Sequence, residues 1–358
     1  MENLELNILA KLYMMASPSG EEKKMRRLIK RIVRTITDDA VVETDGHGNL
    51  FVTKGNSETY PCVVAHMDEV HNRRYGLTLM YGGGVITGRN NYNYMPEGIG
   101  ADDKNGIWVA LMLIAKYDVC KAAFFVGEEV GCVGSSACNM DFFSDVRFVL
   151  QCDRRGGHDF IVNAAGVELS SDEWVDAIGI EKFGYNPTHG SVTDVMELKE
   201  RGLEVCAANI SCGYYNPHSD EESTVLDELE NCLHLCCHIF DTMTDVCKHV
   251  YTKQTFNNIS RGGFGWPPSC HHSWFDDWFD KETIYDSKSH FEKICDRMID
   301  YYVEGDKLDL KAFYDKTKTE FIGADVFDYL QAYETLYGET WDGEDLEGTT
   351  SISVLKKN

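Results

Sequence analysis

Residues 100–106 read Gly-Ala-Asp-Asp-Lys-Asn-Gly and lead into an apolar run at residues 107–114. Two adjacent carboxylates between glycines, followed by a long apolar segment, indicate a loop that delivers an acid to the start of a helix. A carboxylate fixed at such a point can hold a cation. We therefore expect Asp102, with Asp103 as the alternative, to take part in a metal site.

Four strand-like runs surround this loop, and each stops near side chains that can bind a metal. An open α/β sheet places its site beyond the carboxyl ends of its strands, so these side chains are expected to meet. Imidazole and carboxylate groups together suit zinc, cobalt or manganese better than calcium. The runs at residues 60–65, 122–126, 147–151 and 204–210 are followed by His66 and Asp68, Glu128 and Glu129, Asp153, and His218, respectively.

The composition excludes several classes of partner. The chain has 358 residues with 34 basic and 59 acidic side chains, which gives a formal charge of −25. This charge repels nucleic-acid phosphates and anionic lipid, so neither is expected to bind. No apolar run approaches the ~20 residues that span a bilayer, and residues 1–5 lack the basic head of a signal peptide.

The 13 cysteines lie in apolar segments, as Cys62 and Cys236 do. An odd number of cysteines in such positions indicates buried thiols in a reducing compartment and not a disulfide framework. We therefore expect a cytoplasmic protein.

Hydrophobic periodicity predicts the main elements and, with the four runs above, a mixed, mostly parallel α/β sheet flanked by helices. Ser19 and Glu22 have the spacing of a capping box for the second helix. A glycine turn at residues 82–84 predicts a hairpin beside the site. Helices are expected at residues 4–15, 25–36, 193–199 and 225–240, and hairpin strands at residues 41–43 and 49–53.

The composition changes near residue 245, where tryptophan, tyrosine and phenylalanine become mixed with acids. We therefore expect a catalytic domain at residues 1–244 and a small, mostly helical appendage at residues 245–358, with helices at 291–302 and 326–337.

Five motifs of this chain occur together in the order found in a known superfamily. They are His66-x-Asp68, the Gly-Ala-Asp-Asp-Lys-x-Gly run, Glu128-Glu129-x-Gly131, Asp153 and His218. The chain resembles the co-catalytic di-zinc exopeptidases, and most of all the peptidase T branch. Residues 16–21 and 213–218 are similar to that branch as well, and the resemblance covers roughly residues 5–241.

The resemblance implies a role for each residue of the set. Asp102 would bridge two divalent ions, most simply zinc, with cobalt or manganese also suitable. Asp68 would accept the second ring N–H of His66 and thereby fix its tautomer. Glu128, which binds no metal, would be the general base and acid. His66 and Asp153 would complete one metal site, and Glu129 and His218 the other.

The implied reaction is hydrolysis of short peptides by an aminopeptidase or tripeptidase-like enzyme. A carboxypeptidase or deacylase of the same superfamily is the nearest alternative. Asp153 and His218 are only 65 positions apart, which leaves no room for the lid and dimerisation domain of about a hundred residues that the branch carries there. This absence motivates a second hypothesis, a catalytically silent metal-stabilised scaffold whose aromatic tail binds a partner.

Thr193 and Asp194 are similar to a Thr-Asp segment that lies near the substrate pocket in the superfamily. The same pair also suits the N-cap of a helix, so a role beside the substrate and a role as N-cap are the two alternatives for it.

Overall fold

The computed structural model describes residues 3–72, 76–252, 294, 298, 310–317 and 329. The chain divides into two compact units, Met1–Gln254 and Thr255–Asn358. The change in composition predicts the boundary after residue 244, ten positions before the division between these two units. The helices expected at 291–302 and 326–337 lie almost wholly outside the described residues.

The first unit is built on a sheet of nine strands. Its central strands β6, β3, β7 and β11 run parallel. The pairs β1–β2, β2–β6, β8–β11 and β8–β9 are antiparallel, and the edge pair β8–β10 is parallel again. The spatial order is β1-β2-β6-β3-β7-β11-β8-β10, with β9 paired to β8. The strands are β1 (Ala40–Thr44), β2 (Leu50–Lys54), β3 (Tyr60–His66), β6 (Cys120–Phe125), β7 (Val146–Arg154), β8 (Asp159–Ala164), β9 (Val167–Glu168), β10 (Asn186–Gly190) and β11 (Ala207–Ser211).

A smaller sheet of four strands has the order β12-β13-β5-β4. The hairpin expected around the glycine turn forms its β4–β5 pair, with Gly82 paired to Val85. Its strands are β4 (Leu77–Gly82), β5 (Val85–Asn90), β12 (Tyr214–Tyr215) and β13 (Ser223–Val225).

Helices cover both faces of the large sheet, as expected. Those of the first unit are α1 (Asn3–Met14), α2 (Lys23–Ile36), α3 (Ala101–Lys116), α4 (Val133–Ala137), α5 (Asp172–Ile178), α6 (Asp194–Glu200) and α7 (Leu226–Thr242), with 3₁₀ turns at Met140–Phe143 and Ile180–Phe183. A helix that is apolar on all sides must be buried on all sides. The central helix α3 meets this requirement because it packs between strands β3, β6 and β7 and helices α1, α2 and α7.

The period-2 alternation of the buried strands divides the interior into two cores. Val63 and Ala65 of β3 face the core that contains α1, α2, α3 and α7. Cys62 and Val64 of the same strand face a second core that contains α6. The sheet is therefore buried on both sides, which explains why its central strands are almost continuously apolar.

The capping box expected at Ser19 and Glu22 is wrong. Helix α2 begins at Lys23, and no side chain caps its first turn. The Ser19 hydroxyl donates instead to Asp68 Oδ2 at 2.7 Å. The hydrogen bond that a hydroxyl donates to a buried carboxylate is charge-assisted, and it is stronger than the bond that the same hydroxyl would accept from a backbone amide. Ser19 therefore contacts Asp68 and does not cap the helix.

In the second unit, helix α8 (Leu310–Thr317) is the described element. Its Phe313 and Tyr314 are buried, and both rings contact Tyr329, at centroid distances of 6.1 and 4.7 Å.

None of the helices in the described part of the chain has both the length and the apolarity that a bilayer crossing needs. All cysteines within the described residues are free thiols, and most of them are buried. Three of these sulfur atoms, those of Cys152, Cys232 and Cys236, lie within 4.8 Å of one another in the first core.

We expect Ile29→Ala to lower the free energy of unfolding by about 2–5 kcal/mol, because it removes buried methyl groups and leaves a cavity. Ile29 is fully buried on the inner face of α2, whereas Arg34 on the same helix is exposed. Arg34→Ala is therefore the matched control, with an expected change of no more than about 0.5 kcal/mol. Urea denaturation followed by circular dichroism measures both variants. Equal losses would contradict the burial of this helix face.

Candidate metal centre

The carboxyl ends of neighbouring parallel strands bring the polar side chains together. His66 is the last residue of β3, Glu129 follows β6, and Asp153 lies near the end of β7. Asp102 lies in the first turn of α3 and His218 in the loop between β12 and β13. Because β6, β3 and β7 are adjacent and parallel, their ends meet at one edge of the sheet.

One group of donor atoms consists of His66, Asp102 and Asp153. His66 Nε2 lies 3.2 Å from Asp102 Oδ1 and 3.6 Å from Asp153 Oδ1. The three donor atoms lie within 4.8 Å of one another, which is a spacing that a single ion can span. The imidazole is buried.

A second group consists of Asp102, Glu129 and His218. His218 Nε2 lies 3.3 Å from Asp102 Oδ2 and 3.1 Å from Glu129 Oε1. Asp102 thus directs one carboxylate oxygen into each group. This is the arrangement that a carboxylate shared by two cations requires, since it offsets the repulsion between them.

Asp103, the alternative bridging residue, uses its carboxylate elsewhere. Its Oδ2 accepts the backbone amide of His66 at 3.1 Å, and its Oδ1 accepts the amide of Gly106 at 3.0 Å. A β-carbon at Gly106 would collide with this carboxylate. The glycine is therefore required by the close approach of Asp103. Among the described residues, Asp102 is the one that contributes to both donor groups.

Asp68 holds two parts of the site in place. The main-chain oxygen of Asp68 lies 3.0 Å from His66 Nδ1, closer than its carboxylate Oδ1 at 3.5 Å. The contact expected from the carboxylate is therefore made mainly by the carbonyl, which accepts a hydrogen bond from the Nδ1–H group while Nε2 faces Asp102 and Asp153. The carboxylate accepts the amides of Glu128 and Glu129 at 3.0 and 3.2 Å.

Burial and mutual repulsion perturb the acids of this edge. Burial, and then the charge of Asp102, raise the pKa of Asp153 to about 8. Burial and the same charge raise the pKa of Glu129 to about 7. The pKa of Glu128 rises to about 9, because it is buried and faces Asp153 and Asp194. These carboxylates therefore lack sufficient positive charge around them.

The negative charge of these acids also raises the pKa of the two histidines, because it favours the protonated imidazole. Burial by itself would lower the pKa of His66, but hydrogen bonds to Asp102 and Asp153 outweigh it and raise the pKa. The hydrogen bond to Asp102 raises the pKa of His218 to about 9. Both imidazoles therefore lie where positive charge is favoured, and the oxygen and nitrogen donor set fits two divalent cations.

Two polar residues that the sequence did not reveal, Gln151 and Asn209, form hydrogen bonds with Asp153. Asn209 accepts the amide of Asp153 and donates to its carbonyl, both at 2.9 Å. Gln151 Nε2 donates to Asp153 Oδ2 at 3.1 Å, and its Oε1 accepts the Thr193 hydroxyl at 2.9 Å. Both residues are buried within apolar strands, and an isolated amide side chain in such a strand was the signal that could have revealed them.

Thr193 immediately precedes α6, but its side chain does not cap that helix. Its hydroxyl donates to Gln151 and accepts from Asn209 Nδ2 at 3.0 Å. Thr193 therefore occupies the N-cap position of α6, one of the two roles expected for it, but a buried amide network takes its hydroxyl and no side-chain cap forms. Thr193 is also part of the wall of the cavity beside the donor groups.

The cavity has a volume of about 330 Å³ and opens over both donor groups. Asp102, Glu128, Glu129 and Asp153 form its acidic part, and Arg154 and Arg155 line it as well. Glu128 is thus exposed to the cavity without belonging to either donor group. A carboxylate in that position can exchange protons with a molecule in the cavity.

No protein-family model and no curated protein sequence matches the chain. Several solved peptidases share its fold. An aminopeptidase PepT from Bacillus cereus has a TM-score of 0.55 and 15% identity, over 67% of this chain and 98% of that chain. A tripeptidase from Staphylococcus aureus has a TM-score of 0.55 and 14% identity, over 67% and 97%.

An aminopeptidase from the archaeon Desulfurococcus kamchatkensis has a TM-score of 0.53 and 14% identity, over 68% of this chain and 97% of that chain. Identities this low establish the fold alone. Between Asp153 and His218, the chain forms strands β8 to β12 and the short helices α5 and α6. The expected zinc exopeptidase-like α/β fold without a lid domain is therefore confirmed.

Proposed function

We propose that this chain is a metal-dependent exopeptidase of the aminopeptidase or tripeptidase type that hydrolyses short peptides. The observation that carries the proposal is the position of Asp102, with one carboxylate oxygen in each of two donor groups. Glu128 lies beside both groups and lines the same cavity. The peptidases with a similar fold, among them an aminopeptidase and a tripeptidase, support the same class of substrate.

In this proposal His66 and Asp153 hold one divalent ion, Glu129 and His218 hold the other, and Asp102 bridges them. Zinc suits this donor set best, with cobalt or manganese as substitutes. Bound ions of this kind supply Lewis-acid activation of water and neutralise developing negative charge. The main-chain contact of Asp68 keeps His66 in the tautomer whose Nε2 faces the site.

Glu128 is the proton carrier of the reaction. It takes a proton from the attacking water and passes it to the leaving amine. Its amide is fixed by the Asp68 carboxylate, so the side chain starts from a rigid turn at the rim of the cavity. Positive charge in the neighbouring donor groups favours the ionised form that this role needs, against the burial that raises its pKa to about 9.

The seven residues of the proposed site lie within the unit Met1–Gln254, so we assign catalysis to this unit, in line with the domain expected at residues 1–244. The free thiols of the described part of the chain suit a reducing compartment, and we place the protein in the cytoplasm.

We expect Glu128→Gln to reduce peptide hydrolysis by about 10²–10⁴-fold while metal binding is unchanged, because the amide cannot carry the proton. The activity is measured as release of free amino acids from a panel of di- and tripeptides, and metal content by elemental analysis. Glu43→Gln, an exposed change on β1, is the matched control. Metal binding without turnover in the unmodified chain would instead favour the scaffold hypothesis.

Calorimetric titration of the chelator-treated protein should find two Zn²⁺ ions per chain. Asp102→Asn should weaken both, since this carboxylate belongs to both groups, whereas His218→Ala should remove only one. At a hundredfold excess over the Kd, zinc should stabilise the folded state by about 2.7 kcal/mol. His47→Ala, in an exposed turn, is the matched histidine control. Loss of both ions in His218→Ala would contradict the assignment.

The metal-free protein should lose thermal stability as the pH rises. The pKa values of Asp153 and His218 are raised to about 8 and about 9, so both groups bind protons more tightly in the folded than in the unfolded state. Their contribution is therefore present at low pH and is lost as the pH rises through the folded values.

The Tm of chelator-treated protein should thus fall between about pH 6 and pH 9, and saturating Zn²⁺ should reduce this fall because zinc binds the deprotonated ligands. Differential scanning calorimetry across this range measures both forms. A Tm that rises with pH in the metal-free protein would contradict the perturbed pKa values of the site.

A further inference from the structure

Glu222 is a buried acid four positions beyond His218, and no motif of the sequence marks it. Only 1% of its surface is exposed. Its carboxylate accepts four hydrogen bonds, from the amides of Ile99, Gly100 and Asp102 at 3.1, 2.6 and 3.2 Å and from His71 Nε2 at 3.1 Å. A buried carboxylate is costly unless it is fully hydrogen-bonded, and Glu222 meets that condition.

Three of these donors belong to the loop that carries Asp102. The loop reaches α3 through Gly100, whose φ of 64° is left-handed, and successive amides around such a residue turn toward a common anion. Asp102 and Asp103, at the start of α3, have non-helical backbone angles, so the amides that hold the anion belong to a loop-like segment ahead of the regular helix. Glu222 thus fixes the backbone amide of Asp102 itself.

Glu222 also belongs to the segment that carries His218, and its backbone amide donates to the main-chain oxygen of Ser219 at 3.2 Å. His218 has a left-handed φ of 62°, and half of its side chain, 51%, is exposed. Packing around the exposed imidazole therefore contributes little to the position of the His218 loop. The two loops also meet directly at Gly98, where an added β-carbon would collide with His71 and lie 2.8 Å from the main-chain oxygen of Ser219.

We propose that Glu222 is a positioning residue that joins the Asp102 loop to the His218 loop and thereby sets the shape of the second donor group for a metal ion. This inference rests on the proposed metal site. Asp102 and His218 are distant in the sequence, and a single buried carboxylate links their segments through the backbone. Among the described residues, Glu222 belongs to neither donor group and is not one of those that line the cavity.

Glu222→Gln keeps the shape of the side chain but replaces one acceptor oxygen by an NH₂ group. The new NH₂ group would face backbone N–H groups, and two hydrogen-bond donors cannot form a hydrogen bond with each other. The Asp102 loop should then shift, so that the carboxylate no longer serves both donor groups. Outer partners of metal ligands typically change metal affinity by about 10–100-fold.

Titration of the full chain with Mn²⁺, followed by electron paramagnetic resonance, tests the proposal. Two bound Mn²⁺ ions that share one carboxylate give a spin-coupled spectrum, which a purely structural change elsewhere would not alter. The unmodified protein should show this spectrum. Glu222→Gln should bind Mn²⁺ about 10–100-fold more weakly and lose the coupled signal. Glu221→Gln, the same change at the exposed neighbouring residue, should resemble the unmodified protein.

Circular dichroism of the metal-free variants checks that they are folded. A folded Glu222→Gln protein with unchanged affinity and coupling would overturn the inference and leave the proposed function intact. Absence of Mn²⁺ binding in the unmodified chain would overturn the metal site itself.

If Glu222→Gln does not fold, His71→Gln provides the second test, since it removes the imidazole partner and leaves the three amides in place. It should weaken Mn²⁺ binding several-fold with the coupled spectrum retained. Unchanged affinity in this variant would mark Glu222 as a folding residue only and would overturn the inference.

Discussion

The dominant physical constraint in this protein is the repulsion among carboxylates that the fold forces together at one buried edge of its sheet. Asp102, Glu128, Glu129 and Asp153 share one cavity, and burial raises the pKa of three of them. Without rigid support, these side chains would separate toward water. Hydrogen bonds to the main chain around the acids provide that support.

Each support is specific to one strand end or loop. The Asp68 carboxylate holds the amides of Glu128 and Glu129. Asn209 holds both backbone groups of Asp153. Glu222 holds the amide of Asp102. Because these contacts act on the backbone, they place the donor atoms before any ion binds, which is the preorganisation that a metal site requires.

Helix α3 connects the site to the core. It is buried between the sheet and three other helices, and its first turn carries Asp102. Beneath that turn, Lys104 Nζ lies 2.9 Å from Glu69 Oε2 and 3.2 Å from the oxygen of Ile99. A β-carbon at Gly100 would collide with this ion pair. Movement of the Asp102 loop would therefore disturb both a buried salt bridge and the packing of the central helix.

The local pattern of the sequence predicted the four central strands, the main flanking helices and the polar residues that follow those strands, but not β8, β9, β10 or α5. Strand ends converge whenever parallel strands pair, so donors placed after strands must come together. Periodicity and strand-end position are local properties, and for that reason His66, Asp153 and Glu129 were predictable before the fold was known.

Only the tertiary structure decided which atom each polar group contacts. In the folded chain the Ser19 hydroxyl donates to Asp68 and does not cap the helix. Asp102, and not Asp103, contributes to both donor groups. Glu222 contacts the backbone amide of Asp102, a residue about 120 positions away in the chain. A side chain selects its hydrogen-bond partner from the groups that packing brings within about 3 Å, whatever their distance along the sequence. No local pattern contains that information.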